Sequence, residues 1–278
     1  MAESKSDLSS TLPDALSHGH VSRVEAAAID AGLRAHMLHI YNYMAVGLAV
    51  TAVAAMGVYI LSVTDDPAAA AKIVRTSTLN PARLAGNLYL TPTGYALFVS
   101  PMKWVIILAP LALAFALSFG IERIRPAVAQ LLFWLYAVLI GISLGSVFMI
   151  YTQTSVGRVF FITAATFGAL SLWGYTTRRD LSGMSSFLTM GLCGIIIAAL
   201  FNVFLASSAL QWIISVTGVV VFSGLTAWDA QRLKNEYIYG AMDGETAERS
   251  AILGALSLYL DFINLFTLLL QLSGEREE

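Results

Sequence analysis

Charged residues break the chain into long apolar runs, and the runs set the element count. A helix needs about 20 predominantly apolar residues to cross a bilayer. Residues 39–64 form one such run, and residues 104–121 a second, closed by Lys103 and Glu122. Residues 126–157 form a third, with room for a turn after about Tyr151, and residues 159–177 a fourth. The uncharged stretch 181–228 is too long for one crossing and must fold back; Ala206-Ser207-Ser208, just after Asn202, is the natural break, which makes spans five and six. The closing segment, with ALSLYLDFINLFTLLL at 255–270, is the seventh. These runs are apolar all round, without the alternation that a membrane β-barrel strand needs. The pattern predicts an all-α membrane protein of seven transmembrane helices. Residues 1–37 read as a polar cytoplasmic tail, 38–274 as the membrane domain and 275–278 as a short tail. A long outside loop at about 65–103 carries Pro67, Pro81, Pro92 and Pro101 and reads as a connector, with room for a short interfacial helix at 68–75.

Lys and Arg placement orients the bundle. A cytoplasmic N-terminus puts Lys5, Arg23 and Arg34 inside, together with loops bearing Arg123 and Arg125, Arg178 and Arg179, and Arg232, Lys234 and Arg249. The first outside loop, with Lys72, Arg75, Arg83 and Lys103, breaks the pattern; the shorter loops keep it. The N-terminus has no apolar core of a signal peptide, so the first span is read as retained.

Composition agrees. Hydrophobic residues make up 57% of the chain and charged ones 12%, with mean hydropathy +0.72; soluble proteins carry about 25% charged residues. A net charge of −2 gives no footing for nucleic acid. The single cysteine, Cys193, cannot form an internal disulfide and sits in an apolar run. Of the four histidines, His18, His20, His36 and His39, the last two have an i, i+3 spacing open to a metal, but a lone pair beside an aqueous interface reads as incidental. Gly141 and Gly145 form a GxxxG suited to close helix packing. Neither a fixed-period repeat nor a nucleotide fingerprint is present.

The informative residues are acidic. Asp261 sits deep within the seventh span, where a charge costs about 2.5–3.5 kcal/mol on insertion scales and faces a bundle interior or a water path. Ser257, Asp261 and Asn264 are spaced i, i+4, i+7 and share one face. Asp229 ends the sixth span, with Ser223 and Thr226 stepping back by threes, which reads as a second polar face. If the two faces meet, two carboxylates share a poorly solvated site, where they do not both ionise easily and hold a proton between them. Their oxygens also suit calcium, a hard cation. Two plainer readings compete: Asp229 paired with Arg232 at i+3, and Asp261 in a structural hydrogen bond to a neighbouring helix.

ALSLYLDFINLF resembles the C-terminal signature of the Bax-inhibitor family, the transmembrane Bax-inhibitor-motif proteins. TAWDAQRLK resembles its sixth-helix motif with Trp228 in place of the usual tyrosine, RRDLSGMSSFL the entry to its fifth helix, and FNVF at 201–204 that helix's exit. The similarity spans residues 104–274 and has a bacterial look. It implies a bundle whose last helix is central, with six others around it in two three-helix layers. It further implies a pH-sensitive calcium leak gated by an aspartate pair, which falls on Asp229 and Asp261. An arginine at the end of the second helix latches onto the sixth-helix aspartate in bacterial members; Arg123 is the candidate and Arg125 the fallback. Ser257, Asn264, Thr226 and Ser223 would line the path. The expected partners are the bilayer of a bacterial inner membrane, protons and calcium, the last transported or transiently bound at Asp229 and Asp261, with no resident cofactor and no enzymatic role.

Two rival readings come from other classes. A scaffold would bind other membrane proteins, for instance through the acidic loop 235–248, which reads more simply as a solvated linker. An intramembrane aspartyl protease also places one aspartate on each of two neighbouring helices, but those enzymes use Gly-x-Gly-Asp where this chain has Leu-Tyr-Leu-Asp at 258–261, and no Pro-Ala-Leu helix follows. A coupled transporter would show paired discontinuous helices, which are not seen.

Overall fold

The computed structural model describes the backbone of residues 8–75, 78–81, 84, 88–120, 124–239 and 244–276, and the side chains of residues 29–71, 84, 88–120, 124–238 and 244–276. Apolar runs become helices because a backbone in lipid must satisfy its own hydrogen bonds. The chain forms α1 (Leu8–Ser62), α2 (Pro92–Phe98), α3 (Met102–Gly120), α4 (Pro126–Leu144), α5 (Val147–Ile150), α6 (Gln153–Thr176), α7 (Ser182–Leu205), α8 (Ser208–Tyr239) and α9 (Gly244–Ser273). Seven segments are long and apolar enough to cross a membrane, with α4 and α5 acting as one. The chain is an integral membrane protein.

The boundaries follow local chemistry. Thr152 caps α6 by accepting from the backbone N–H of Ser155. Ala206, at φ 48°, ends α7 in a left-handed turn, and the Asn202 carboxamide oxygen accepts from Ser207 N–H at 3.0 Å. The fold-back thus falls where the small polar residues predicted it. Pro110 sits inside α3.

Two three-helix layers, α1-α3-α4 and α6-α7-α8, enclose α9, which packs on α8, α1, α6 and α4. Burial on α9 runs round its circumference, with Ala255, Leu258, Tyr259 and Leu265 fully enclosed, whereas Leu188 alone is buried on α7. That contrast marks α9 as the core and α7 as lipid-facing. Gly141 lets α4 approach α1 closely: a Cβ there would stand 2.6 Å from the Thr51 carbonyl oxygen.

Three expectations need correction. The interfacial helix at 68–75 does not form: β2 (Lys72–Arg75) pairs antiparallel with β3 (Thr78–Pro81), and β1 (Val63–Thr64) with β4 (Tyr89–Leu90). Ile73 and Val74 are β-branched and favour extended backbone, and residues 78–81 supply the pairing. The described part of the long loop therefore carries two short strand pairs rather than a bare connector. The helix that carries the first span ends at Ser62 rather than residue 64, because Val63 and Thr64 pair with Leu90 and Tyr89 as a strand, and it runs back without a break to Leu8. Most of the supposed linker 235–248 is also helical, since α8 runs to Tyr239 and α9 starts at Gly244. At 1.5 Å per residue the 32 residues of α8 span about 48 Å, well beyond the roughly 30 Å hydrocarbon core.

Candidate functional site

Helical geometry decides which polar residues meet. On α9, Ser257 and Asp261 are one turn apart and share a face. On α8 the steps of three drift: each advances 300°, so Ser223 stands about 120° away from Asp229. Ser223 accordingly lies in a crevice with Leu170, Met184 and Trp228, between α6, α7 and α8, and not against α9. The second polar face expected opposite α9 therefore does not include Ser223. Thr226 is fully buried, and its hydroxyl donates to Phe222 O of its own helix at 2.8 Å. Asn264 likewise turns its amide back to Leu260 O, at 2.8 Å.

The two acidic side chains do come together. Asp229 and Asp261, 7% and 5% exposed, face each other across the α8–α9 seam within hydrogen-bonding reach. Arg232 completes the cluster: its Nη2 lies 2.8 Å from Asp229 Oδ1 and donates to Ser257 Oγ at 3.2 Å. The guanidinium also sits 5.1 Å from the Trp228 ring centre, a cation–π contact. One cation thus bridges the sixth and seventh spans. Asp261 Oδ2 is buried without a hydrogen-bond donor among the described residues.

Of the two latch arginines predicted from sequence, the described one, Arg125, is not at this site. Arg125 is the exposed N-cap residue of α4 and forms no ion pair with Asp229; Arg123 lies outside the described residues. The cation on Asp229 is Arg232, because i, i+3 spacing on one helix brings the two side chains together without any tertiary fit. The plain i+3 pairing and the buried carboxylate pair therefore coexist.

Beside Arg232 is a cavity of about 250 Å³ lined by Ser118 of α3, Glu236 of α8, and Ser250 and Ser257 of α9. Ser250 Oγ donates to Glu236 Oε1 at 3.2 Å. This vestibule, lined by Arg232 itself and by Leu253 and Leu260, lies beside the carboxylate site. Among the described residues no group of three or more His, Cys, Asp or Glu could hold a metal. The carboxylate pair supplies few of the six to eight oxygens that calcium prefers. His36 stacks on Tyr237 at 4.9 Å and His39 meets Tyr43 edge-on at 4.6 Å; the side chains of His18 and His20 lie outside the described residues.

Three polar contacts escaped the sequence reading. Thr51 Oγ1, 2.9 Å from Ala137 O, also lies 2.6 Å from the Tyr259 hydroxyl, which joins α1, α4 and α9 in the core. Since Thr51 donates to a carbonyl, the tyrosine donates to Thr51. Gln271 Oε1, ten residues beyond Asp261, accepts from Gln211 Nε2 at 2.7 Å and Ser215 Oγ at 2.9 Å. Gln231 holds the turn before α7, accepting from Leu181 N–H at 2.8 Å and donating to Arg179 O at 2.7 Å. All three pairings cross large sequence separations and carry no local signal.

Comparison with known proteins supplies the context. The sequence model of the family described as inhibitor of apoptosis-promoting Bax1 matches residues 33–278. An uncharacterised protein of Rickettsia prowazekii is 42% identical over 249 residues, covering 90% of this chain and 93% of that protein. The inner membrane protein YbhL of Escherichia coli is 41% identical over 248 residues, or 88% of this chain and 94% of YbhL. An uncharacterised protein of Borreliella burgdorferi is 46% identical over 181 residues, 65% of this chain and 78% of its own length.

Proposed function

The chain belongs to the family of inhibitors of apoptosis-promoting Bax1, and from that premise we propose that it is a pH-sensitive calcium leak channel of a bacterial inner membrane, gated by Asp229 and Asp261. The observation that carries this reading is two carboxylates in contact at the core of a membrane bundle, each less than a tenth exposed. Such a pair is expensive to keep in lipid and holds a proton between its members. The inner membrane assignment follows the name of the Escherichia coli relative.

The gate works through Arg232. While Asp229 is ionised, the guanidinium is held by charge-assisted contact to it and by Ser257. It stands as a fixed positive charge between the vestibule and the carboxylate pair, where it repels an entering cation. Protonation of the pair removes the attraction. Arg232 then swings toward Glu236, one turn along α8 and on the same vestibule wall, and the way past Asp261 opens. This assigns the latch to the sixth span itself, in place of Arg125.

The test is calcium flux into liposomes holding only the purified protein, at several pH values. Wild type should conduct with a pH dependence that Asp229→Asn and Asp261→Asn each flatten. Unchanged flux and pH profile in Asp229→Asn would dismiss the pair as the gate. Absence of flux in wild type would favour a regulatory protein that acts through other membrane proteins.

A further inference from the structure

A cavity of about 800 Å³ opens sideways between α1 and α6. The two helices stand apart there, and the floor is Phe262 of α9, next to Asp261. The walls are apolar, built from Met37, Met44 and Leu48 on one side and Phe160 and Phe167 on the other. Polar groups gather toward one end. Arg34 and Tyr175 line that end, and the Tyr41 and Ser171 hydroxyls bridge the two walls at 2.5 Å. The rim residues Leu38 and Leu172 are 62% and 63% exposed.

The shape and placement select the occupant. Every lining residue belongs to a membrane-spanning segment, so the mouth meets acyl chains rather than water. The α1 wall runs from Arg34 to Leu48, about 21 Å at 1.5 Å per residue. One leaflet's hydrocarbon is about 15 Å, half of the bilayer core, with the headgroup region beyond it. The cavity is therefore as deep as one leaflet and is charged at the headgroup end. Arg34 forms no ion pair among the described residues. Lys234 Nζ donates to Tyr175 O at 2.9 Å and lies 5.4 Å from that ring's centre, bringing a second positive charge to the same end. Asp30, one turn before Arg34, shares an adjoining depression with it and offsets one of the two charges.

We propose that this groove binds one phospholipid with an anionic headgroup, its phosphate on Arg34 and an acyl chain along Met44, Phe160 and Phe262. Basic recesses between membrane helices recognise lipid headgroups by the same charge logic. The site is separate from the calcium reading and does not depend on it.

Gly168 provides a clean test. It lines the groove, and a Cβ there would meet nothing within 4 Å, so Gly168→Trp fills open space rather than a helix contact. Delipidated protein in detergent is titrated with phosphatidylglycerol, phosphatidylethanolamine or inorganic phosphate, and bound lipid is counted by native mass spectrometry. Wild type should bind one phosphatidylglycerol about fivefold more tightly than phosphatidylethanolamine, and inorganic phosphate should not compete at matched concentration. Arg34→Gln should bring the two lipids level. Gly168→Trp should lose at least most of the bound lipid while melting within a few degrees of wild type. Equal affinity for the two lipids in wild type, a preference unchanged in Arg34→Gln, or undiminished phosphatidylglycerol binding in Gly168→Trp overturns the assignment. Competition by phosphate would make it a phosphate site instead. If Gly168→Trp fails to fold, Ala164→Trp on the same wall gives the same readout.

Discussion

Replacing Arg232 by Met strips the cation from a buried carboxylate while keeping an apolar stem against Trp228. The magnitude follows from the geometry. Unit charges 2.8 Å apart attract by about 6 kcal/mol at an effective dielectric near 20. Arg232 is 41% exposed in its side chain, so water returns much of that when it leaves. Breaking a buried pair typically costs about 3–5 kcal/mol, and the exposure of Arg232 argues for the lower side, about 2–3 kcal/mol. For a chain of this size that corresponds to a fall in Tm of roughly 4–12 °C. Asp229→Asn removes the buried charge that needs compensation and leaves Arg232, 41% exposed, to be solvated by water, so it should cost about 1 kcal/mol or less. The double variant should melt close to Asp229→Asn alone, leaving a coupling of about 1.5 kcal/mol or more. Thermal unfolding in detergent followed by tryptophan fluorescence reads all four proteins. If the two single losses simply add in the double variant, Arg232 and Asp229 are neighbours without energetic coupling, and the gating account loses its latch.

Two further outcomes are expected. Gly141→Ala would push a methyl to 2.6 Å from both the Ala54 Cβ and the Thr51 carbonyl oxygen; overpacking of about 1–3 kcal/mol should outweigh the roughly 1 kcal/mol gain in helix propensity, and a Tm at or above wild type would show that α1 and α4 separate freely. Asp180 lies outside the spans, and its carboxylate is held below the usual range by hydrogen bonds from the Ser182 hydroxyl and backbone N–H. A lowered folded-state pKa contributes stability above the unfolded value, about pH 4, and loses it as pH falls further. Asp180→Ala should therefore melt below wild type at neutral pH, with the gap closing under about pH 4; a gap that persists in acid would assign the effect to packing.

Several features were legible along the chain because they rest on local physics. Long uncharged stretches must become helices in lipid, so the number of spans followed from where charges interrupt them. The turn at Ala206-Ser207-Ser208 followed from small polar residues that end one helix and start the next. Asp261 stood out because a carboxylate among Leu, Tyr and Phe has no cheap place in hydrocarbon. The Arg232–Asp229 contact was also within reach, since spacing on a single helix dictates it.

Pairings across distant segments were decided elsewhere. The drift of 3.6 residues per turn swung Ser223 away from Asp229, an angle that a pattern of threes conceals until helix α8 is set against its neighbours. The Tyr259–Thr51 bond, the Gln271 cluster and the groove between α1 and α6 depend on how two three-helix layers close over α9. Residue order states which side chains a helix presents at each angle; it does not state which other helix stands there. Packing alone supplies that, by fitting side-chain volumes around one central helix until two acidic groups are left with each other and a single arginine.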